Sequence, residues 1–317
     1  MEMKDFTNLL EDANNVVNDY NGTELIFLDT SAVPCIEDDD LTFGNGVEKK
    51  GKHIKTCVLY VDIRNSVELT HRHSITKMGK IFSTFTRCVQ MAAIKSNGRI
   101  RNIIGDRVMV VFPEENCFQN AVECAISINH LMKYVLNKKF YGIDFQCGIG
   151  IDYGDMYCIK VGMQKRDGER EDNRRLVWVG LPANHASRLT DFANKEYSEL
   201  RYRVRNYFRK WTLQRNTDAK IYPIQSDGVG CKEDVMTADE AVNNILDGKS
   251  IQIEPLSIVE PYRYNPILLS DDVFNGFKKA CPNDNSILKG WWKPEERPIK
   301  DIQSKVYGAN LIWEVKE

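Results

Sequence analysis

The chain has 317 residues, 42% of them hydrophobic and ten of them proline, enough apolar material for one sizeable core with a smaller attachment and too much for a disordered or fibrous protein. Its 43 basic and 45 acidic side chains leave a net charge of −2, which excludes a global field for nucleic acid or an anionic membrane surface. Any nucleotide site must therefore be local.

Residues 1–54 are polar, with the acidic cluster Glu37 to Asp40 and the glycines Gly44 and Gly46 ahead of the Lys49–Lys52 stretch. They read as an extension with some helix. The opening MEMKDFTNLLEDANN lacks the basic start and apolar core of a signal peptide, and no apolar run reaches the roughly 20 residues that span a bilayer. From Thr56 the run TCVLYVDI alternates as a core strand and ends at Asp62. Met78, Ile81, Phe82, Phe85, Val89 and Ala92 then recur at helical spacing up to Asn97-Gly98. RIRNII and RVMVVF flank Gly105-Asp106 and predict a β-hairpin.

A second helix is predicted from Cys117 to Leu136, with Phe118, Ala121, Val122, Ala125, Ile128, Met132 and Val135 on one stripe. DFQCGIGID and MYCIKVG read as two strands, 164–175 as an exposed charged loop, RLVWV as a strand, and GLPANHASRLTDFA as a helix entered through Gly180 and Pro182. The order predicts a ferredoxin-like (split βαβ) α+β sheet with helices on one face, spanning residues 55–193. Residues 194–298 read as an irregular, partly helical insertion. In it ELRYRVRNYFRKW, with Arg201, Arg203, Arg205, Arg209 and Lys210, is taken as one amphipathic helix with a solvated basic face rather than a nucleic-acid groove. Residues 299–317, containing SKVYGANLIWEV, are expected to form a strand pair that completes the domain. The nine cysteines form no CxxC pair and several lie in apolar runs, the usage of a reducing cytoplasm rather than of disulfides or zinc.

Asp62 at a strand end and Asp106 at a hairpin tip can be neighbours in a split-βαβ sheet. Two such carboxylates suit hard divalent cations, Mn²⁺ or Mg²⁺, which bind one or two carboxylates together with substrate phosphates. Asn184 and Arg188, four apart, project from one face of the last helix. No histidine has a ligand-spaced partner.

In order, VLYVDIRNS, GRIRNIIGDRVMVVF, CGIGIDYGD and GLPANHASRL resemble the catalytic domain of class III adenylate and guanylate cyclases. The resemblance implies conversion of a nucleoside triphosphate to a 3′,5′-cyclic nucleotide and pyrophosphate. It implies that Asp62, Asp106 and the Ile63 carbonyl hold two divalent metal ions. The turn Ile63 to Ser66, with Arg64 and Ser66, would offer backbone N–H groups to the phosphates. Asn184 would orient the ribose and Arg188 would neutralise charge at the α-phosphate. Lys305, in KVYGANLIWEV, falls where the family carries a triphosphate lysine. The family also implies a homodimer with composite sites, Asp62 and Asp106 from one subunit and Asn184, Arg188, Lys305, Asn102 and Val177 from the other.

At the two positions where purine cyclases read their base, this chain has Asn102 and Val177, the latter followed by Trp178. Valine can neither accept from adenine nor donate to guanine. Tyr60 shares a strand face with Asp62 and can narrow the pocket or stack on a smaller base. Together these departures resemble the pyrimidine cyclases of bacterial anti-phage (Pycsar) systems, which implies CTP, with UTP as the alternative, and a separate effector protein that responds to the cyclic product. A non-catalytic nucleotide sensor is the contrasting reading, and the presence of Asp62, Asp106, Asn184 and Arg188 speaks against it.

Overall fold

The computed structural model describes residues 3–43, 47–162, 174–197, 199–215, 221–237, 240, 242–243, 252–258 and 262–314. The elements are α1 (Met3–Gly22), β1 (Leu25–Asp29), β2 (Lys49–Ile63), α2 (Ser66–Arg72), α3 (Ile75–Lys95), β3 (Arg99–Ile104), β4 (Arg107–Val111), α4 (Cys117–Leu131), α5 (Asn137–Lys139), β5 (Cys147–Val161), β6 (Arg175–Val179) and α6 (Leu181–Phe192). They continue with β7 (Glu199–Arg215), β8 (Ile221–Thr237), β9 (Gln252–Ile258), β10 (Ile267–Ser270), α7 (Asp271–Ala280), α8 (Asn285–Leu288), β11 (Lys293–Pro294) and β12 (Val306–Ala309).

The segment β2-α3-β3-β4-α4-β5 is a βαββαβ unit with strand order β5-β2-β4-β3, the ferredoxin-like arrangement expected from the sequence. β2 alternates strictly. Cys57, Leu59, Val61 and Ile63 join a core with Met78, Ile81, Phe85 and Val89 of α3 and with α4, while Ile54 and Val58 face Met109, Val111, Met156, Ala183 and Ala186. α6 therefore covers the second face, where the sequence reading put all helices on one.

β5 allows α6 to lie close because it carries glycine on that face. A side chain at Gly150 would come within 2.4 Å of the Ala186 carbonyl, and one at Gly148 would meet Arg64 and the Ala193 carbonyl. DFQCGIGID and MYCIKVG are one 15-residue strand rather than two, passing through Gly154 at φ 155°. After α4 the helix continues through a π turn, Met132–Leu136. The wider turn advances the stripe by one residue, so Leu136 is buried and Val135, expected inside, is exposed.

The chain forms two compact units, one of residues 1–195 and 264–317 and one of residues 196–263. The second is a three-stranded antiparallel sheet in the order β8-β7-β9. This corrects the helical reading of ELRYRVRNYFRKW, which lies in β7. The Arg201, Arg203 and Arg205 positions alternate with Tyr202 and Val204, a period of two that belongs to a strand, and Val204 is buried.

Residues 264–298 belong to the first unit. β10 pairs in parallel with β5 and antiparallel with β12, and β11 pairs with β12. The expected C-terminal strand pair is therefore β12 alone with β10 and β11 as partners. Beyond it Trp313 donates to the Ser127 hydroxyl and Asn129 donates to the Leu311 carbonyl. The N-terminal extension contributes β1, which runs parallel to the start of β2, and α1, tied down by an Asp19–Lys49 ion pair at 2.6 Å. Of the expected loop 164–175, residues 164–173 lie outside the described residues. Among the described residues no helix is long and apolar enough to cross a membrane.

Candidate active site

Asp62 is the penultimate residue of β2, on the same face as Tyr60 and α6. Asp106 occupies the two-residue turn between β3 and β4, where Gly105 takes the left-handed conformation (φ 62°) that favours glycine. Because β4 pairs with β2 through Val61 and Val108, the hairpin tip arrives beside the end of β2. The two carboxyl groups meet. Burial, and then the hydrogen bond and negative charge of Asp62, raise the Asp106 carboxyl to about 6, while the Ser66 hydroxyl, at the start of α2, opposes the rise.

Among the described residues, Asp106 Oδ2 is buried and has no hydrogen-bond partner. A buried carboxylate oxygen without a partner, facing a second carboxylate, is an arrangement that a hard divalent cation satisfies. Among the described residues no group of three or more His, Cys, Asp or Glu side chains could hold a metal. The donor set is thus two carboxylates, which fits an ion whose remaining positions are filled by substrate phosphate oxygens and water. Ile63 closes β2 with its side chain in the core.

Arg107, absent from the sequence reading, ties this pair to α6. Its guanidinium donates to Asp62 Oδ2 at 2.8 Å, to the Ser187 hydroxyl at 2.9 Å and to the Asp191 carboxylate. Period-two spacing would have found it, since β4 runs antiparallel to β2 and places residue 107 on the Asp62 face. Arg64 departs from its expected role at the phosphates. Its side chain is 7% exposed and donates to the Thr190 carbonyl at 2.6 Å, filling the space that Gly148 leaves. There it caps the C-terminal end of α6, where carbonyls lack helical partners. Its backbone N–H also donates to Gln146, so it is withdrawn from any phosphate.

Asn184 and Arg188 lie on the outer side of α6. Arg188 pairs with Asp301 at 2.9 Å and stands 3.9 Å from Asp191. Lys305 is exposed at the start of β12, next to Ser304, which lines a cavity together with Asn184. Tyr60 is partly buried against the second core cluster. Asn102 is exposed on β3, beside a register shift between Ile100 and Asn102. Val177 is 41% exposed, whereas Trp178, pointing the other way along β6, packs on that same cluster, its indole N–H without a partner among the described residues. The structure thus brings Asp62, Asp106 and Ser66 together, and sets Asn184 and Arg188 on the solvent-accessible side of α6, Asn184 beside a cavity that β5 also lines.

The description "Adenylate and Guanylate cyclase catalytic domain" fits residues 48–207, and the chain belongs to that family. It is a class III nucleotidyl cyclase, and enzymes of this kind use divalent metal ions. Among its relatives, a uridylate cyclase of Burkholderia cepacia is 30% identical over 172 residues, 53% of this chain and 70% of that protein. A uridylate cyclase of Xanthomonas perforans is 26% identical over 143 residues, 43% of this chain and 59% of that protein. Among solved structures, the adenylyl cyclase CyaB from P. aeruginosa aligns with a TM-score of 0.45 at 16% identity, covering 81% of this chain and 94% of that one.

Proposed function

We propose that the chain is a pyrimidine nucleotide cyclase that forms a 3′,5′-cyclic nucleotide and pyrophosphate from UTP or CTP. The observation that carries the reading is the meeting of Asp62 and Asp106 at the crossing of β2 with the β3–β4 hairpin, one oxygen of the pair being left without a partner. Divalent metal ions held there would supply charge neutralisation at the triphosphate and an activated ribose 3′-hydroxyl. Asp62 and Asp106 present the carboxylates, Ser66 steadies Asp106, and Arg107 fixes Asp62 against α6. Asn184 orients the ribose, and Arg188 and Lys305 neutralise phosphate charge.

Support for a pyrimidine base comes from Asn102 and Val177, which lack the groups that read purines, and from the names of the two bacterial relatives. Those names favour UTP. The Asn102 amide, which both donates and accepts, also suits the cytosine edge and keeps CTP as the second reading. The outward placement of Asn184 and Arg188 supports a homodimer in which each serves the metal pair of the other subunit. The resemblance to anti-phage pyrimidine cyclases supports a signalling role for the product, read by a separate effector protein in the cytoplasm.

The test is the specificity constant for each of the four triphosphates, measured separately in Mn²⁺. A site shaped to hydrogen-bond one base edge rejects an unmatched edge by roughly 100-fold or more. UTP or CTP should exceed ATP and GTP by that margin. Equal or greater turnover of a purine triphosphate would overturn the base assignment while leaving the cyclase assignment standing.

A further inference from the structure

A cavity of about 620 Å³ opens beside the first turns of α6, within the size range of small-ligand pockets. On its wall stands a pair that the metal site does not use. Asp152, on β5, is 4% exposed, and its carboxylate accepts from Nδ1 of His185 at 3.1 Å. Burial raises the Asp152 carboxyl, and the Ser270 hydroxyl, the Tyr153 backbone N–H and the His185 ring offset that rise. Placing a carboxylate here for packing alone would be costly, because burial strips it of its hydration.

A carboxylate only accepts, so His185 Nδ1 carries the hydrogen and, in the neutral ring, Nε2 is left as an acceptor. No hydrogen bond among the described residues engages Nε2, and the His185 side chain is 39% exposed on the cavity wall. Asn184, the adjacent residue, lines the same cavity. Among the described residues its wall contains no lysine or arginine, so it offers no cation to a phosphate, and Asp272 and the His53-paired Asp155 border it. Tyr153 and Tyr157 also border it, their rings packed away from it on Phe118 and on His53 and Phe27.

We propose that His185, held by Asp152, is a specificity-determining residue of the cyclase, whose Nε2 accepts a hydrogen bond from the uncharged nucleoside portion of the triphosphate. This rests on the nucleotide-cyclase reading above. The donor is a base N–H or a ribose hydroxyl, the shared chemistry being a neutral donor aimed at a fixed acceptor.

The experiment measures kcat/KM for UTP and CTP, together with inhibition by pyrophosphate, in wild type and in His185→Ala, His185→Gln and His185→Asn. Loss of a hydrogen bond that leaves a desolvated donor unpaired predicts a fall of about tenfold or more in His185→Ala. Pyrophosphate, which touches only the phosphate side, should inhibit as before. His185→Gln, whose amide oxygen reaches the Nε2 position, should recover part of the loss, and His185→Asn, which reaches only as far as Nδ1, should not. N3-methyl-UTP and 2′-deoxy-UTP separate the sources, since the analogue lacking the donor should lose activity with wild type and not with His185→Ala.

An active wild type matched by His185→Ala on both substrates would overturn the inference alone. So would a loss in His185→Ala accompanied by an equal weakening of pyrophosphate inhibition. A wild-type protein that cyclises none of the four triphosphates would overturn the cyclase reading and this inference with it.

Discussion

Arg107 Nη2 lies 2.8 Å from Asp62 Oδ2, so a fixed cation already sits against one of the two carboxylates that converge at the hairpin tip. The same guanidinium reaches Asp191, which stands 3.9 Å from Arg188, and Arg188 in turn pairs with Asp301. A chain of alternating charges thus joins Asp62 to the outer face of α6. Arg107→Ala would strip hydrogen-bonded charge from Asp62 and Asp191 in a half-buried setting, at a cost of about 1–3 kcal/mol of stability. Mn²⁺ should restore part of this loss by neutralising Asp62. Chemical denaturation with and without Mn²⁺ is the check, and an unchanged midpoint in both conditions would contradict this role for Arg107.

The Asp106 carboxyl, raised from its ordinary 3.8 to about 6, sets the pH response of the metal-free protein. Between those values the folded chain holds a proton that the unfolded chain has released, so this group makes stability decline as pH rises through that window. Metal binding needs the ionised form. Apparent Mn²⁺ affinity should therefore fall by about tenfold per pH unit below about 6 and level off above it. Calorimetric titration across pH 5 to 8 measures this, and Asp106→Asn should flatten the dependence. A wild-type affinity independent of pH would contradict the assignment.

Composite sites give a quantitative outcome for mixed subunits. Asp106→Ala and Arg188→Ala should each be inactive alone. In a mixed dimer one site collects both lesions and the other none, so random exchange should return about a quarter of wild-type activity. A mixture that exchanges subunits, as shown by native mass spectrometry, yet stays as inactive as its parents would place catalysis within one chain.

The unit formed by residues 196–263 leaves and re-enters the first unit at hydrogen-bonded neighbours. The Tyr264 N–H donates to the Lys195 carbonyl at 2.9 Å, and the Asn194 N–H donates to the Asn265 carbonyl at 3.0 Å. A hairpin-sized connection of two glycines can bridge such a gap. The chain so shortened should fold with a single cooperative transition and its helix content preserved by circular dichroism. Aggregation or a molten transition would show that the β unit is needed for folding.

The ferredoxin-like core was legible because its elements obey single periodicities. β2 alternates between two cores, and α3 repeats its apolar residues from Met78 to Ala92 at helical spacing. Asp62 and Asp106 were legible as a pair because a strand end and a hairpin tip converge in that topology. Three features were not. The basic-aromatic run in β7 carries a two-residue alternation, but its high charge suggested a solvated helix face. The displacement of Val135 follows from a π turn, which has no periodic sign in sequence. Arg64 was hidden because its partners, the Thr190 and Asp191 carbonyls, lie 126 and 127 residues away, whereas for Arg107 period two shows the face but not its Ser187 and Asp191 partners, 80 and 84 residues away.

The most direct test of the central claim, that Asp62 and Asp106 hold the metal on which a pyrimidine triphosphate is cyclised, is product identification by mass spectrometry. The purified chain is incubated with equal CTP, UTP, ATP and GTP in Mn²⁺, with folded Asp62→Ala and Asp106→Ala proteins in parallel. The wild type should yield predominantly a cyclic pyrimidine monophosphate with matching pyrophosphate, and neither variant should exceed a few per cent of that amount, roughly the loss expected when a metal ligand is removed. Predominant cyclic AMP or cyclic GMP, or substantial turnover by either variant at saturating Mn²⁺, would contradict it.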